Sequence, residues 1–258
     1  MNIKIPERCP SCTGAFALPY VKKDGYKFLK CTCGYIFCHP RPTQAELDKH
    51  YGVGEPSDHA QNILTNFYPK ASSRRRRAFF NAIKLFPYLW GKRVMDLGCG
   101  GGFVVGNMKA VGARVAVGID INPNSISYAS AQYPQCEFHC GEFTDFPNGK
   151  LGKFDFIYSS EVIEHVVDIE AYMQFLVEIT DSNAKVFITT PDIASKKVPE
   201  DVTSWDVFSP PLHIQFFTQT SLTQLFKRFG FTPIKRTPDQ GGAGLKMLFK
   251  KSSSKIST

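Results

Sequence analysis

The chain has 258 residues, 43% hydrophobic and 21% charged, with a formal net charge of +8. These values exclude a disordered chain and leave room for one large packed domain and a small one. No apolar run approaches the ~20 residues of a membrane span, and the opening "MNIKIPERCPSC" has no apolar signal stretch, so a cytoplasmic protein is expected, whose basic excess suits an anionic partner such as nucleic acid or a nucleotide-linked sugar.

Cysteines crowd the start of the chain: Cys9, Cys12, Cys31, Cys33 and Cys38. In a reducing compartment such clustering points to metal rather than disulfides. "CPSC" and "CTCG" flank a basic, aromatic stretch too short to bury a core of its own. A tetrahedral Zn²⁺ on Cys9, Cys12, Cys31 and Cys33 would supply the missing free energy. Pro10 and Gly34 suit the two tight turns. The second knuckle has one intervening residue, Thr32, where two are usual, so Cys38 or His39 stands as an alternative to Cys31. A hairpin with free thiols is the other reading. Four protein ligands leave no open position, so the role of such an ion is structural.

Thr43 and Glu46 have capping-box spacing and predict a short helix, ended by "GVGEPSD". "SSRRRRAFFNAIKLF" predicts a second helix capped by Ser72 or Ser73. Phe79, Ile83 and Phe86 recur at helical spacing and are expected to pack on the next domain. Arg74 to Arg77 span a full turn, as a solvated face or a phosphate-binding patch. The expected organisation is a zinc ribbon over 1–42, a helical connector over 43–72, a large domain over 73–250 and a disordered tail over 251–258.

The large domain alternates strand and helix. "RVMDL" runs into Gly98-Cys99-Gly100-Gly101-Gly102 and then a helix near Phe103, a pattern that brings backbone N–H groups close to a ligand. "ARVAVGID" is a second strand ending in Asp120, where an acid can accept bonds from both hydroxyls of a ribose. "NPNSISYASAQY" is a helix, "CEFHCGEF" a third strand, "FDFIYSS" a fourth and "KVFITTP" a fifth, with helical "IEAYMQFLVEIT" between the last two. "TQTSLTQLFKRFG" adds a helix, and a closing pair of strands follows. This order predicts an α/β, doubly wound, mostly parallel sheet.

"VMDLGCGGGF", Asp120, "GEF" and "EVIEHV" together resemble class I S-adenosylmethionine-dependent methyltransferases, over roughly residues 75 to 250. The resemblance implies a Rossmann-like methyltransferase fold and the cofactor S-adenosylmethionine. Asp96, Gly98 and Gly100 would lie along its methionine end, Asp120 would hold the ribose, and Ile121 would lie against the adenine. Glu142 would reach the adenine amino group beside Phe143, although Asp is usual there, and Ser159 falls in the same binding set. The rival is a dinucleotide-binding domain, whose third glycine would fall on Phe103. The cysteine ribbon followed by "HPRPTQAELDKHYG" is similar to bacterial methyltransferases of polysaccharide and secondary-metabolite pathways.

"SSEVIEHVVD" begins where the fourth strand ends, the edge at which such sheets bind ligands. Read as a helix, it puts Glu161, Glu164 and His165 on one face and Val162, Ile163, Val166 and Val167 on the other. Three readings stand: an exposed first turn, His165 as general base with a pKa near ~6.5, or a divalent cation held by the trio. The third has a family parallel, since E-x-x-E-H resembles ubiquinone-pathway O-methyltransferases and small-RNA 2′-O-methyltransferases, both with Mg²⁺. The RNA enzymes add a later histidine, which here would be His213 in "SPPLHIQFFT". Trp205, Phe208 and Phe216 in the same stretch would wall a substrate pocket or simply pack. The expected activity is O-methylation of a small-molecule, sugar or polysaccharide-precursor hydroxyl. RNA 2′-O-methylation and a cofactor-binding scaffold without turnover are the alternatives.

Overall fold

Short β-branched runs between glycines and polar turns become the strands of a seven-stranded sheet in this computed structural model, which describes residues 8–14, 18–43, 46–47, 68, 72–146, 150–236 and 243–252. The "GVGEPSD" breaker and all but the first three residues of "KKSSSKIST" lie outside the described residues. Sheet order is β10-β11-β8-β7-β4-β5-β6, a Rossmann-like methyltransferase arrangement. Its strands are β4 (Arg93–Leu97), β5 (Val115–Asp120), β6 (Glu137–Cys140), β7 (Phe154–Ser160), β8 (Thr180–Pro191), β10 (Phe231–Arg236) and β11 (Gly244–Lys251). The pairs β4–β5, β5–β6 and β4–β7 are parallel, and β10–β11 is antiparallel. Strand order reverses at β4, with β5 on one side and β7 on the other. The carboxyl edge there is a switch point, where open α/β sheets bind ligands.

The chain divides into two compact units: Asp48–Ser159 with Phe175–Phe187, and Met1–Leu47 with Ser160–Gln174 and Ile188–Thr258. The first contains β4 to β6 with helices α1 (Ser72–Leu89), α2 (Phe103–Ala110) and α3 (Pro123–Gln132). Val94, Met95, Val117, Ile119, Phe156 and Ile157 form its buried strand core. Asn122 caps α3, its side chain accepting from the N–H groups of Asn124 and Ser125, and Pro123 follows at the favoured first position. Phe79, Ile83 and Phe86 do not pack inward as expected. They are exposed, and α1 instead buries Ala78, Ala82 and Leu89. The buried ridge lies one residue back, about 100° round the helix, because small alanines allow close approach to α2.

The second unit contains a four-stranded sheet of order β1-β2-β3-β9, with β1 (Leu18–Lys23), β2 (Tyr26–Lys30), β3 (Ile36–Cys38) and β9 (Gln215–Phe216). The cysteine-rich hairpin thus pairs with a strand from far along the chain, Ile36 opposite Phe216 and Phe37 opposite Gln215. Phe208 and Phe216 are fully buried, stacked at 4.6 Å, with Phe28 at 4.5 Å from Phe208. They are core, with Trp205 partly buried against them. The Thr43–Glu46 box forms: the Thr43 N–H donates to Glu46 at 2.7 Å, and the Glu46 N–H returns to the Thr43 hydroxyl at 3.3 Å. Helix α4 (Ile169–Ile179) starts after Asp168, and α5 (Gln219–Arg228) carries a reciprocal Thr218–Ser221 cap. No helix among the described residues is long and apolar enough to cross a membrane.

Candidate functional site

Strand β4 delivers the chain into a loop whose Gly98, Gly100 and Gly102 have φ of 78°, 49° and 75°, values that glycine reaches without strain. The N–H groups of Gly98 and Cys99 both donate to the Ile119 carbonyl at 2.9 Å, which ties the loop to β5. A Cβ at Gly101 would stand 2.8 Å from the Tyr68 ring. Tyr68 therefore lies directly on the loop. Its hydroxyl shares a 2.8 Å hydrogen bond with Ser125, and its ring stacks on Tyr128 at 4.8 Å. Nothing in "NFYPK" marks Tyr68, because its partners come from α2, α3 and the glycine loop.

Asp120 ends β5 beside this loop. Its Oδ2 accepts from the Gly100 N–H at 2.8 Å and its Oδ1 from the Asn122 N–H at 2.9 Å. Each oxygen keeps a lone pair for a further donor. Burial pushes the Asp120 carboxyl up, and the two backbone bonds oppose it. Asp96, on the adjacent strand, is buried. Burial first, and then the Asp120 charge, push its carboxyl well above the usual range. Among the described residues neither acid is in an ion pair. Two buried acids side by side favour a ligand that brings positive charge.

This arrangement has a consequence for pH. At a pH below the ordinary Asp value of ~3.9, the folded and unfolded chains both carry the Asp96 proton. As pH rises, the unfolded chain loses it first and the folded protein loses stability until its own raised pKa is passed. We expect Tm of the unliganded protein to fall as pH rises above the unfolded value of ~3.9. Asp96→Asn should flatten that slope in thermal melts; an identical slope would remove Asp96 as its cause.

Ser159 is buried at the end of β7, opposite Leu97 in the parallel register. Ile121 follows Asp120 and is half-buried. Glu142 forms a reciprocal capping box with Asp145 around the Phe143–Asp145 turn. Its carboxylate is thus held by its own turn, and Phe143 lies 5.8 Å from Phe175. Asp96, Gly98, Gly100, Asp120 and Ser159 share neighbouring strand ends, while Glu142 and Phe143 follow the edge strand.

"SSEVIEHVVD" is not the helix its spacing predicts. Residues 161–168 form an irregular turn, with Glu161 at φ 56°. Tertiary bonds take the carbonyls a helix would use. Gln215 Nε2 donates to the Ile163 and Val166 carbonyls, the Ile214 N–H donates to Glu164 O at 3.0 Å, and Arg41 reaches Val166 O at 3.3 Å. Of the three polar residues, Glu161 is exposed and His165 half-buried. Glu164 is 0% exposed. Consecutive threonines at the end of β8 hold the two acids: Thr189 donates to Glu161 at 2.8 Å and Thr190 to Glu164 Oε2 at 2.9 Å. Among the described residues no donor reaches the buried Glu164 Oε1, and the Glu161 carboxylate is its charged neighbour.

His213 joins this group. One ligand atom each from Glu164, His165 and His213 lie within 4.8 Å of one another, and the two rings are 4.6 Å apart, edge to face. His165 Nδ1 faces the Leu212 carbonyl at 3.0 Å, and His213 Nδ1 faces the Val207 carbonyl. A carbonyl only accepts, so each Nδ1 carries the proton and each Nε2 keeps its lone pair. Burial and then His213 push His165 down to about 3, and burial lowers His213. His165 is therefore neutral and, with no cation present, a weak proton acceptor; the expected pKa near ~6.5 does not survive burial. The set suits cation ligation better than base catalysis.

The four expected thiols also converge. Sulfur atoms of Cys9, Cys12, Cys31 and Cys33 lie within 4.8 Å of one another, with Cys9–Cys33 at 3.8 Å and Cys12–Cys31 at 3.7 Å. A tetrahedron with ~2.3 Å metal–sulfur bonds has edges of ~3.8 Å. Cys38 is turned away, its thiol on the Pro40 carbonyl and its side chain in the Phe28–Phe216 core. His39 is not in the cluster. The hairpin is bonded to the loop around His213: Gln215 Oε1 accepts from the Tyr35 hydroxyl and from Arg41 at 3.0 Å, and the Thr218 hydroxyl donates to Cys33 O at 3.3 Å. Sequence reasoning had assigned no part to Gln215, Arg41, Thr189 or Thr190. Their signal is long-range pairing, which a single sequence does not display.

A family model described as "Methyltransferase domain" matches residues 68–236. A ubiquinone biosynthesis O-methyltransferase of Aromatoleum aromaticum is 31% identical over 106 residues, covering 40% of this chain and 45% of that protein. The chain thus spans about half the length of that relative. A protein of the same description from Neisseria meningitidis serogroup C is 27% identical over 65% of this chain and 81% of its own length. Among solved structures, magnesium protoporphyrin IX methyltransferase of Synechocystis with bound SAH superposes with a TM-score of 0.56. It is 16% identical and covers 81% of this chain and 95% of its own. That likeness is one of fold.

Proposed function

The chain belongs to the methyltransferase-domain family, and from that premise we propose that it transfers a methyl group from S-adenosylmethionine to a hydroxyl oxygen of a small-molecule or sugar acceptor. We further propose that Glu164, His165 and His213, with Glu161 beside them, hold a divalent cation. The observation that carries this reading is Glu164: a buried carboxylate with one orphan oxygen, clustered with two imidazoles whose tautomers leave a lone pair on Nε2. Two imidazoles and a carboxylate suit Mn²⁺ or another transition ion better than Mg²⁺. Such an ion, when bound, lowers the pKa of an acceptor hydroxyl and orients it.

The remaining work falls to the chain. Asp120 takes the ribose hydroxyls on its two open lone pairs. Asp96 and the glycine loop receive the methionine end, whose ammonium and sulfonium charges offset two buried acids. The sulfonium methyl needs no further activation, so rate comes from alignment and from exclusion of water by Tyr68 and neighbouring rings. The O-methyltransferase relatives support an oxygen acceptor, and SAH on the same fold supports the cofactor. We assign the four thiols a structural Zn²⁺, which their spacing fits. A second reading, RNA 2′-hydroxyl methylation, is favoured by one observation, the arrival of His213 in the cluster.

Asp120→Ala should weaken S-adenosylmethionine at least ~100-fold in calorimetry, since it removes two charge-assisted bonds; unchanged affinity would remove Asp120 from the site. The acceptor class is tested by methyl transfer from labelled S-adenosylmethionine into total RNA and, separately, into low-molecular-weight and glycan extract. Label in the second pool supports the first reading. Label confined to RNA makes the second reading correct.

A further inference from the structure

Helix α1 has two apolar stripes and only one of them is used. Ala78, Ala82 and Leu89 are buried, while Phe79, Ile83, Phe86 and Trp90 form an exposed ridge with Phe80 at its side. Phe80 is 52% and Trp90 65% exposed. The rings form neighbouring pairs, Phe79–Phe80 at 5.9 Å and Phe86–Trp90 at 5.4 Å. A contiguous exposed aromatic ridge of this kind marks a binding surface.

Charge says what kind. The helix, SSRRRRAFFNAIKLFPYL, contains four arginines, one lysine and no acid. The arginines begin in its first turn, beside the positive end of the helix dipole, where cations are unfavourable. Arg75 works inside the fold, donating to the Tyr128 hydroxyl at 2.7 Å with its guanidinium over Phe103. Arg76, Arg77 and Lys84 are exposed and in no ion pair among the described residues. On a helical wheel Arg76 falls at the edge of the aromatic ridge, and Lys84 and Arg77 lie beyond Phe80 on the polar outer face.

We propose that α1 lies on a bilayer of anionic phospholipid. Its aromatic ridge would enter the headgroup boundary, with Arg76 beside it at the lipid phosphates and Lys84 and Arg77 on the polar face, within the field of the anionic surface. Aromatic rings on one side and cations beside them are what an interfacial helix requires. A second copy of the chain fits less well. Symmetric pairing would set the same cations against each other, and α1 has no acid to neutralise them. The inference does not depend on the acceptor.

The test is co-sedimentation of the whole protein with vesicles of phosphatidylglycerol and phosphatidylcholine, and with phosphatidylcholine alone. Binding to the first, at least ~10-fold tighter than to the second and weakened by salt, is expected. The emission of Trp90, one of two tryptophans, should shift to the blue on binding, and Trp90→Phe should remove the shift. Phe79→Ser with Phe86→Ser, and separately Arg76→Glu with Arg77→Glu, should each reduce binding at least ~10-fold with S-adenosylmethionine affinity unchanged. Equal sedimentation with both vesicle types, or variants that bind as the parent does, would overturn the proposal. So would a dimer in analytical ultracentrifugation that Phe79→Ser with Phe86→Ser dissolves, or single-stranded RNA that binds this face and displaces the vesicles.

Discussion

Replacing Glu164 by glutamine is expected to lower turnover at least ~100-fold while leaving S-adenosylmethionine affinity unchanged and the cation-free protein slightly more stable. The two effects have one cause. Glu164 is buried with an orphan oxygen, and burial followed by the neighbouring Glu161 charge pushes its carboxyl well above the usual range. Its unfolded counterpart ionises first as pH rises, so ionisable Glu164 costs stability at neutral pH. Glutamine keeps the shape and the Thr190 hydroxyl bond and removes the charge. Relief of about 1 kcal/mol would raise Tm by roughly 2–4 °C in a chain of this size. The gain should be measured in chelator. With Mn²⁺ present the order should invert, because the parent is stabilised by its ligand and the variant has lost an anionic donor. Equal turnover in the two proteins would return Glu164 to a structural role.

Cys31→Ser is expected to be as damaging by another route. One lost thiolate removes most of the affinity of a tetrahedral zinc site, and in small metal-bound hairpins binding energy is folding energy. The damage should not stop at the hairpin. β3 pairs with β9, Tyr35 and Arg41 hold Gln215, and Gln215 holds the Ile163 and Val166 carbonyls on either side of Glu164 and His165. We expect loss of bound zinc, a lower Tm and turnover reduced at least ~100-fold. The residues we propose for S-adenosylmethionine are in the other unit, so cofactor affinity should change little. Calorimetry and turnover on one preparation separate the effects. A variant without zinc that turns over normally would show that the hairpin does not support the His213 loop.

How much of this was legible follows from the range of each interaction. The glycine loop and Asp120 each carry a short local signature at a strand end, and the Gly100 N–H bond to Asp120 joins them. The doubly wound, mostly parallel sheet follows from the alternation of short apolar strands with helices. The four cysteines were legible by chemistry, and Thr32 alone between two of them did not prevent convergence. Two readings failed, each where a distant segment decides. Glu161, Glu164 and His165 have helical spacing, but Gln215, some fifty residues on, takes the Ile163 and Val166 carbonyls and the Ile214 N–H takes that of Glu164. Phe79, Ile83 and Phe86 have core spacing, but the alanines one position back are what the neighbouring helix admits. Tyr68, Thr189 and Thr190 sit in no motif, and their roles exist only once the chain has folded.

The most direct test of the account is methyl transfer from labelled S-adenosylmethionine into the metabolite and glycan pool, using protein stripped of loosely held cations but retaining zinc. The account predicts no label until Mn²⁺ is added, full label after it, and none at any Mn²⁺ concentration with Glu164→Gln. Label of equal intensity with and without the added cation would contradict it and return the Glu164, His165 and His213 cluster to a structural role.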